Sequence, residues 1–231
     1  MSLPALLVAF LVVTVLAMDP QYRVDRAVNG QWAYVVVPQW RGFFQDVLDR
    51  IAGQSVDAPI LVIVAVLVAQ RYWTWRPLLV AAAVEAGFYA FIGLAKLAFA
   101  RPAPVQGGDP GFFHGGLLRD GWEGISFPSG HTAESVLVYG AIVYLLAAYT
   151  RTPRWAVRVL VGVVVLIALN AAFTSFFLGW HWPTDLVGGW LAGAIVLRVV
   201  ILLDRRLTRR RGDRPEDRAN DRPGNPFARA R

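Results

Sequence analysis

An all-α integral membrane protein, a bundle of six transmembrane helices with an amphipathic helix in the interface between spans one and two, is predicted by three observations. Hydrophobic residues fill 56% of the 231 positions, well above the share of an ordinary soluble domain. They gather in runs that approach the ~20 residues a helix needs to cross the hydrocarbon core of a bilayer. Arginines collect at alternate connections between those runs, the pattern that orients a multispan chain.

The elements follow in order. Span one covers 3–18 and lacks the basic start and the small-residue cleavage pattern of a signal peptide. In 38–52, Phe43, Phe44, Val47, Leu48 and Ile51 recur at helical spacing, with Arg41, Gln45, Asp46, Asp49 and Arg50 between them. That pattern fits an amphipathic helix lying in the interface, and equally a lid packed on other helices. Spans two and three cover 58–72 and 78–99. Spans four, five and six cover 131–149, 155–178 and 184–203. Trp73, Trp75, Trp122, Trp155, Trp180 and Trp182 fall near helix ends, as an interfacial aromatic belt requires. No internal repeat interrupts this plan, so 1–208 reads as one domain and 209–231 as a disordered, basic cytoplasmic tail.

Arg71 and Arg76 lie between spans two and three, and Arg151, Arg154 and Arg158 at the connection of spans four and five. From Asp204 onward there are ten arginines against five acids, which carries most of the net charge of +7. With six spans all three regions share one side, and the positive-inside rule makes it the cytoplasm. Both termini are then cytoplasmic, and the loops before His131 and His181 face the opposite side of the cell membrane. Beside a membrane segment a basic tail reads as a topology and anionic-lipid signal, with no nucleic acid partner expected. The absence of cysteine excludes disulfides, thiolate metal sites and thiol catalysis.

Two of the three histidines stand where a long apolar run meets a polar one. In Pro128-Ser129-Gly130-His131, serine is a good N-cap and the apolar run starts at once. The first amides of a helix lack intrahelical partners, so Ser129 and Gly130 open an anion site with His131 beside it. In His181-Trp182-Pro183-Thr184-Asp185, proline suits the first helical turn, and the carboxylate lies one turn from the imidazole. Asp185 can then hold one ring nitrogen while the other stays nucleophilic. Together these elements suit phosphoryl transfer through a histidine. Lys96 is the single lysine of the chain and sits inside a span, where charge is costly and points to function. Glu134 lies one turn below His131, and Glu85 nearer the middle of span three. His114 stands in a Gly-rich loop without an assigned role.

These residues resemble the type-2 phosphatidic acid phosphatase family, whose pattern is Lys-x6-Arg-Pro, Pro-Ser-Gly-His, and Ser-Arg-x5-His-x3-Asp. Lys96, Pro128 to His131, and His181 with Asp185 match it, and the resemblance covers about residues 96–185. It implies that His181 attacks phosphorus, that Asp185 holds its tautomer, and that His131 protonates the departing oxygen and later activates water. It implies further that Lys96, the Ser129 hydroxyl and the Gly130 amide hold the phosphate oxygens, with no metal or other cofactor. Two departures stand out. The first family arginine falls on Ala103, with Arg101-Pro102 displaced by two residues, and the Ser-Arg pair falls on Thr174-Ser175. Losing both forks removes charge-assisted bonds of about 1.5–3 kcal/mol each. Arg101 and Arg119 are the expected replacements at the phosphate.

On this resemblance the expected activity is hydrolysis of a lipid phosphate or diphosphate, of polyprenyl or phospholipid type, at the extracytoplasmic face. The substrate partner is therefore a membrane lipid. Three other readings stay open. One is a phosphotransferase that passes the group to an alcohol. Another is a lipid-binding or transport protein on the same frame. The last is metal binding by His131, Glu134, His181 and Asp185.

Overall fold

The computed structural model describes residues 2–19, 23–28, 33–107 and 111–212, and every regular element among them is helical. Five helical stretches are long and apolar enough to cross a membrane: Pro38–Tyr72, Arg76–Gln106, Gly130–Tyr149, Arg154–Phe177 and Pro183–Leu207. A sixth apolar helix, α1 (Leu3–Met18), is shorter at 16 residues and has the bounds expected of span one. The short α2 (Arg23–Val28) follows it. The remaining long elements are α3 (Gln54–Tyr72), α4 (Arg76–Gly87), α5 (Gly130–Tyr149), α6 (Arg154–Phe177) and α7 (Pro183–Gly212). A π-helical stretch, Phe88–Gly93, carries α4 into Leu94–Phe99.

Helix α5 is the axis of the bundle. Its apolar stretch is 61% buried, against 17% for that of α6, so α6 is peripheral. Leu137, Val138, Ala141 and Leu145 of α5 pack with Leu61 and Ala65 of α3, Val84 of α4 and Val196 of α7. Helix α6 turns Val159, Val161, Leu166 and Leu169 outward. An apolar outer face of this kind belongs against lipid, where only internally hydrogen-bonded helices survive. Glycine lets α7 approach the start of α5. A Cβ at Gly189 would come within 2.5 Å of the Ser129 carbonyl, and one at Gly193 would strike the backbone of Ala133. Small residues at such crossings let helices pack backbone to backbone.

The 38–52 segment is helical in short pieces and joins α3 across Gly53 alone. One edge is docked on the bundle. The Phe44 ring stacks on Phe177 with centroids 3.9 Å apart, Asn170 Nδ2 donates to the Leu48 carbonyl at 2.9 Å, and the Tyr139 hydroxyl donates to the Ile51 carbonyl. The other edge leaves Trp40, Phe43 and Val47 half exposed, the disposition of a helix at a bilayer interface.

The arginine-rich ends of the helices gather at one end of the bundle. There Asp204 binds Arg76 Nη2 at 2.6 Å and the hydroxyls of Tyr144 and Tyr149 at 2.6–2.8 Å. Helix α7 runs past the expected end of span six to Gly212, four residues into the segment expected as tail. Residues 213–231 of that tail lie outside the described residues.

At the opposite end, 100–107 and 111–129 fold back over the helices. Ala100, in the left-handed region at φ 42°, ends the helix, and the chain is then tied down by backbone bonds from Ala103 to Glu123, Ser126 to Arg101 and Val105 to Gly179. Phe99, Phe112 and Phe127 form an aromatic cluster beneath this cover. Two tryptophans expected in the interfacial belt are corrected by this fold. Trp182 is fully buried with its Nε1 donating to Pro102 O at 2.9 Å, and Trp180 faces a cavity. The loop covers Trp182, whose buried indole N–H requires a partner, while half-buried Trp180 turns toward the His131 ring. Trp73, Trp75, Trp122 and Trp155 are exposed near helix ends as expected.

Candidate active site

Ser129 caps α5 as its sequence requires, its Oγ accepting from Thr132 N at 3.5 Å. Two bonds then lock the start of α5 to the start of α7: Ser129 N to Asp185 O at 3.0 Å, and Thr132 Oγ1 to Leu186 O at 3.1 Å. His131, in the first turn of α5, and His181, two residues before α7, are therefore carried by one clamped pair of helix ends.

Both imidazoles line a cavity of about 680 Å³, together with Lys96, Gly130, Asp49 and Glu134. Lys96 projects inward and donates to the Ile125 carbonyl at 2.9 Å. Its other lining side chains are largely apolar. Leu94, Leu97 and Tyr89 line it while more than half exposed on the outside of the bundle, so the cavity opens sideways between the Phe88–Gly93 and Leu94–Phe99 turns and the overlying loop.

His181 Nδ1 stands 3.5 Å from Asp185 Oδ2. That is an ion-pair distance, longer than a well-formed hydrogen bond. Reacting groups in ligand-free sites commonly stand this loosely and tighten with substrate. Asp185 is held in place from two other directions: Trp182 N donates to Oδ2 at 2.9 Å, and Arg101 Nη1 to Oδ1 at 2.5 Å. Burial pushes the His181 imidazole below its ordinary pKa, against the raising influence of Asp185. The neutral, nucleophilic ring is thus the favoured form.

The two arginines expected at the phosphate are placed elsewhere. Arg101 is fully buried and does not line the cavity. Its guanidinium bridges two carboxylates, Asp185 and, through Nη2 at 2.7 Å, Asp25 of α2. It also donates to Thr184 Oγ1 at 2.7 Å and lies over the rings of Phe112 and Trp182. The reason is charge: two buried carboxylates require a cation between them, and the planar fork satisfies both. Arg119 is two-thirds exposed, bound to its neighbour Asp120 and to the His114 carbonyl, and is also absent from the cavity wall. The Ser129 hydroxyl is buried as a cap, while Gly130 reaches the cavity. Lys96 is accordingly the sole Lys or Arg on the wall among the described residues.

Sequence reasoning missed two carboxylates. Asp25 joins Arg101 and accepts from Thr184 Oγ1 at 2.6 Å and Thr184 N at 3.2 Å. Asp49 stands 3.2 Å from His131 Nε2. The only signal for Asp49 was its place on the polar face of an otherwise apolar helix. No group of three or more His, Asp or Glu among the described residues is arranged to hold a metal ion, so the proposed ligand set of His131, Glu134, His181 and Asp185 does not converge.

The model of the PAP2 superfamily matches residues 73–209, more than half of the chain. The chain belongs to the PAP2 superfamily. Among curated relatives of this superfamily, the phosphatidylglycerophosphatase B of Bacillus subtilis (strain 168) is 29% identical over 84 residues, which are 36% of this chain and 41% of that protein. The undecaprenyl-diphosphatase of Sulfolobus acidocaldarius is 30% identical over 69 residues, 30% of this chain and 29% of that protein. These alignments thus span less than half of each relative. The crystal structure of the transmembrane PAP2-type phosphatidylglycerolphosphate phosphatase from Bacillus subtilis superposes with a TM-score of 0.66 at 20% identity, covering 87% of this chain and 96% of that one. The fold is therefore that of a transmembrane PAP2 protein. Asp25 and Asp49 lie outside the matched residues.

Proposed function

We propose that this chain is a membrane phosphatase that hydrolyses a lipid phosphate or diphosphate through a phosphohistidine on His181. The observation that carries the reading is the convergence of His181, His131, Lys96 and the first turn of α5 on one cavity that opens sideways through apolar side chains. A lipid can lie with its chain among Leu94, Leu97 and Tyr89 and its phosphate at the helix start. The relatives named for phosphatidylglycerophosphate and undecaprenyl diphosphate support a lipid substrate of either kind.

His181 Nε2 attacks phosphorus, and the bond from phosphorus to the leaving oxygen breaks. His131 gives that oxygen a proton and then takes one from the water that cleaves the phosphohistidine. Lys96 and the free amides of the first turn of α5, Gly130 among them, stabilise charge on the equatorial oxygens. Arg101 acts one layer below, holding Asp185 toward His181. The arginine-rich end of the bundle is assigned to the cytoplasm by the positive-inside rule. That choice puts the cavity at the extracytoplasmic face and the basic segment after residue 208 inside the cell.

The test is phosphate release by detergent-purified protein from a panel of lipid phosphates and diphosphates in EDTA. His181→Ala should reduce it by at least about a thousandfold, the scale of losing a covalent nucleophile. Release that survives this substitution, or that EDTA abolishes, would sink the mechanism. The same cavity has room for an alcohol in place of water, so an added alcohol that diverts phosphate into a new ester would favour transfer.

The acidic limb of kcat/KM gives a second check. The neutral His181 ring is the reactive one, and its folded pKa lies below the ordinary imidazole value of about 6.5. Activity should therefore persist as pH falls through 6.5, declining only nearer the depressed value. A limb at or above about 6.5 would contradict the burial of His181.

A further inference from the structure

We propose that Asp49 is a positioning residue for His131, supplied by the 38–52 segment and fixing which ring nitrogen exchanges a proton with the substrate. The inference rests on the phosphohistidine reading above and extends it to a residue outside the part of the chain that the superfamily model matches.

Three observations carry it. The Asp49 carboxylate stands 3.2 Å from His131 Nε2, and both side chains are largely buried, at 15% and 29% exposure. Both line the cavity that contains His181 and Lys96. The segment bearing Asp49 is fastened on both sides of it: Leu48 by Asn170, Ile51 by Tyr139, and Phe44 by its stack on Phe177. A carboxylate on a fastened backbone can hold an imidazole in one orientation. One on a loose loop cannot.

The consequence is a division of the ring. Asp49 accepts from Nε2–H, which leaves Nδ1 to the reacting oxygen. As the bond from His181 Nε2 to phosphorus forms and the bond to the leaving oxygen breaks, the Nδ1 proton passes to that oxygen. In the second half the proton of the attacking water returns to Nδ1. The two histidines are then supported in parallel, His181 by Asp185 and His131 by Asp49, with opposite nitrogens facing phosphorus and the leaving group.

The experiment compares Asp49→Ala and Asp49→Asn with the parent on two substrates. One is a long-chain alkyl monophosphate, whose alkoxide must be protonated to leave. The other is an alkyl-tailed nitrophenyl phosphate, whose phenolate leaves without help. The quantity read is kcat/KM, which reports formation of the phosphoenzyme and not its hydrolysis. Asp49→Ala should lower it at least about tenfold for the alkyl ester and by less than about twofold for the aryl ester. Asp49→Asn, which keeps shape and a hydrogen-bond acceptor, should fall between parent and alanine. Equal loss on both esters, or loss on neither, overturns the proposal.

A second readout needs no substrate. With three histidines in the chain, nitrogen-15 labelling of histidine resolves each ring. The His131 Nε2 signal should be that of a protonated, hydrogen-bonded nitrogen in the parent and should change in Asp49→Ala. If the parent hydrolyses neither ester, the phosphatase reading has failed on its own. The spectrum then still decides: a changed signal sustains the pairing, and an unchanged one removes it.

Discussion

Arg101→Ala is expected to destabilise the protein by about 3–5 kcal/mol, the cost of removing one partner from a buried ion pair. Arg101 has no exposed surface and lies between Asp25 and Asp185, both themselves fully buried. Its deletion leaves two buried carboxylates without the guanidinium that bridges them and also strips a donor from Thr184. A loss of that size is a large part of the 5–15 kcal/mol typical of a folded domain. It should appear as a lower unfolding midpoint of the ligand-free protein in detergent. Arg101→Lys should recover only part of it, because an ammonium is a point charge and cannot reproduce the fork across two carboxylates. A phosphate-binding arginine would behave otherwise. Its removal would leave the ligand-free midpoint unchanged and raise KM, and that result would return Arg101 to the phosphate.

The contrast shows what sequence reading can and cannot reach in this chain. Helices within a membrane must satisfy their own backbone, so long apolar runs translate almost directly into spans, and α1 begins and ends where its composition changes. Helix starts were equally legible: Ser129 caps α5 and Pro183 opens α7, because capping and proline geometry are local. His131 and His181, which follow from such local rules, meet in the cavity with Lys96, which stands out as a lone charge within a span.

Partnerships across the chain left no such mark. Asp25 and Arg101 are 76 positions apart and belong to segments with no shared periodicity. Nothing in the spacing around Arg101 tells a phosphate contact from a buried bridge, since both call for a guanidinium. Asp49 looks in sequence like any polar residue on an interfacial helix. Its meaning comes from the docking of Phe44 against α6, which an amphipathic pattern does not encode. Trp182 was misplaced for a related reason. Proximity to a helix end marks a belt residue only where no loop covers that end.

Asp185→Asn tests the pairing on which the proposed chemistry turns, and it should lower turnover by about 10³–10⁴-fold. A carboxylate-to-amide change that preserves shape but favours the wrong imidazole tautomer costs on that order in hydrolases with a His–Asp pair. The loss has two origins here. An amide can present its NH₂ to His181 Nδ1, which would place the ring proton on Nε2 and block the nucleophile. The change also removes one of the two carboxylates that Arg101 bridges, so the midpoint of unfolding should be read alongside. The tautomer contribution has its own mark in the pH profile. Asp185 opposes the effect of burial on His181, so removing its charge should move the residual acidic limb further down. A purely structural defect would lower turnover and leave that limb in place. Should Asp185→Asn retain near-parent activity with an unmoved limb, the 3.5 Å separation from His181 would have to be taken as the working distance, and Asp185 would be a partner of Arg101 alone.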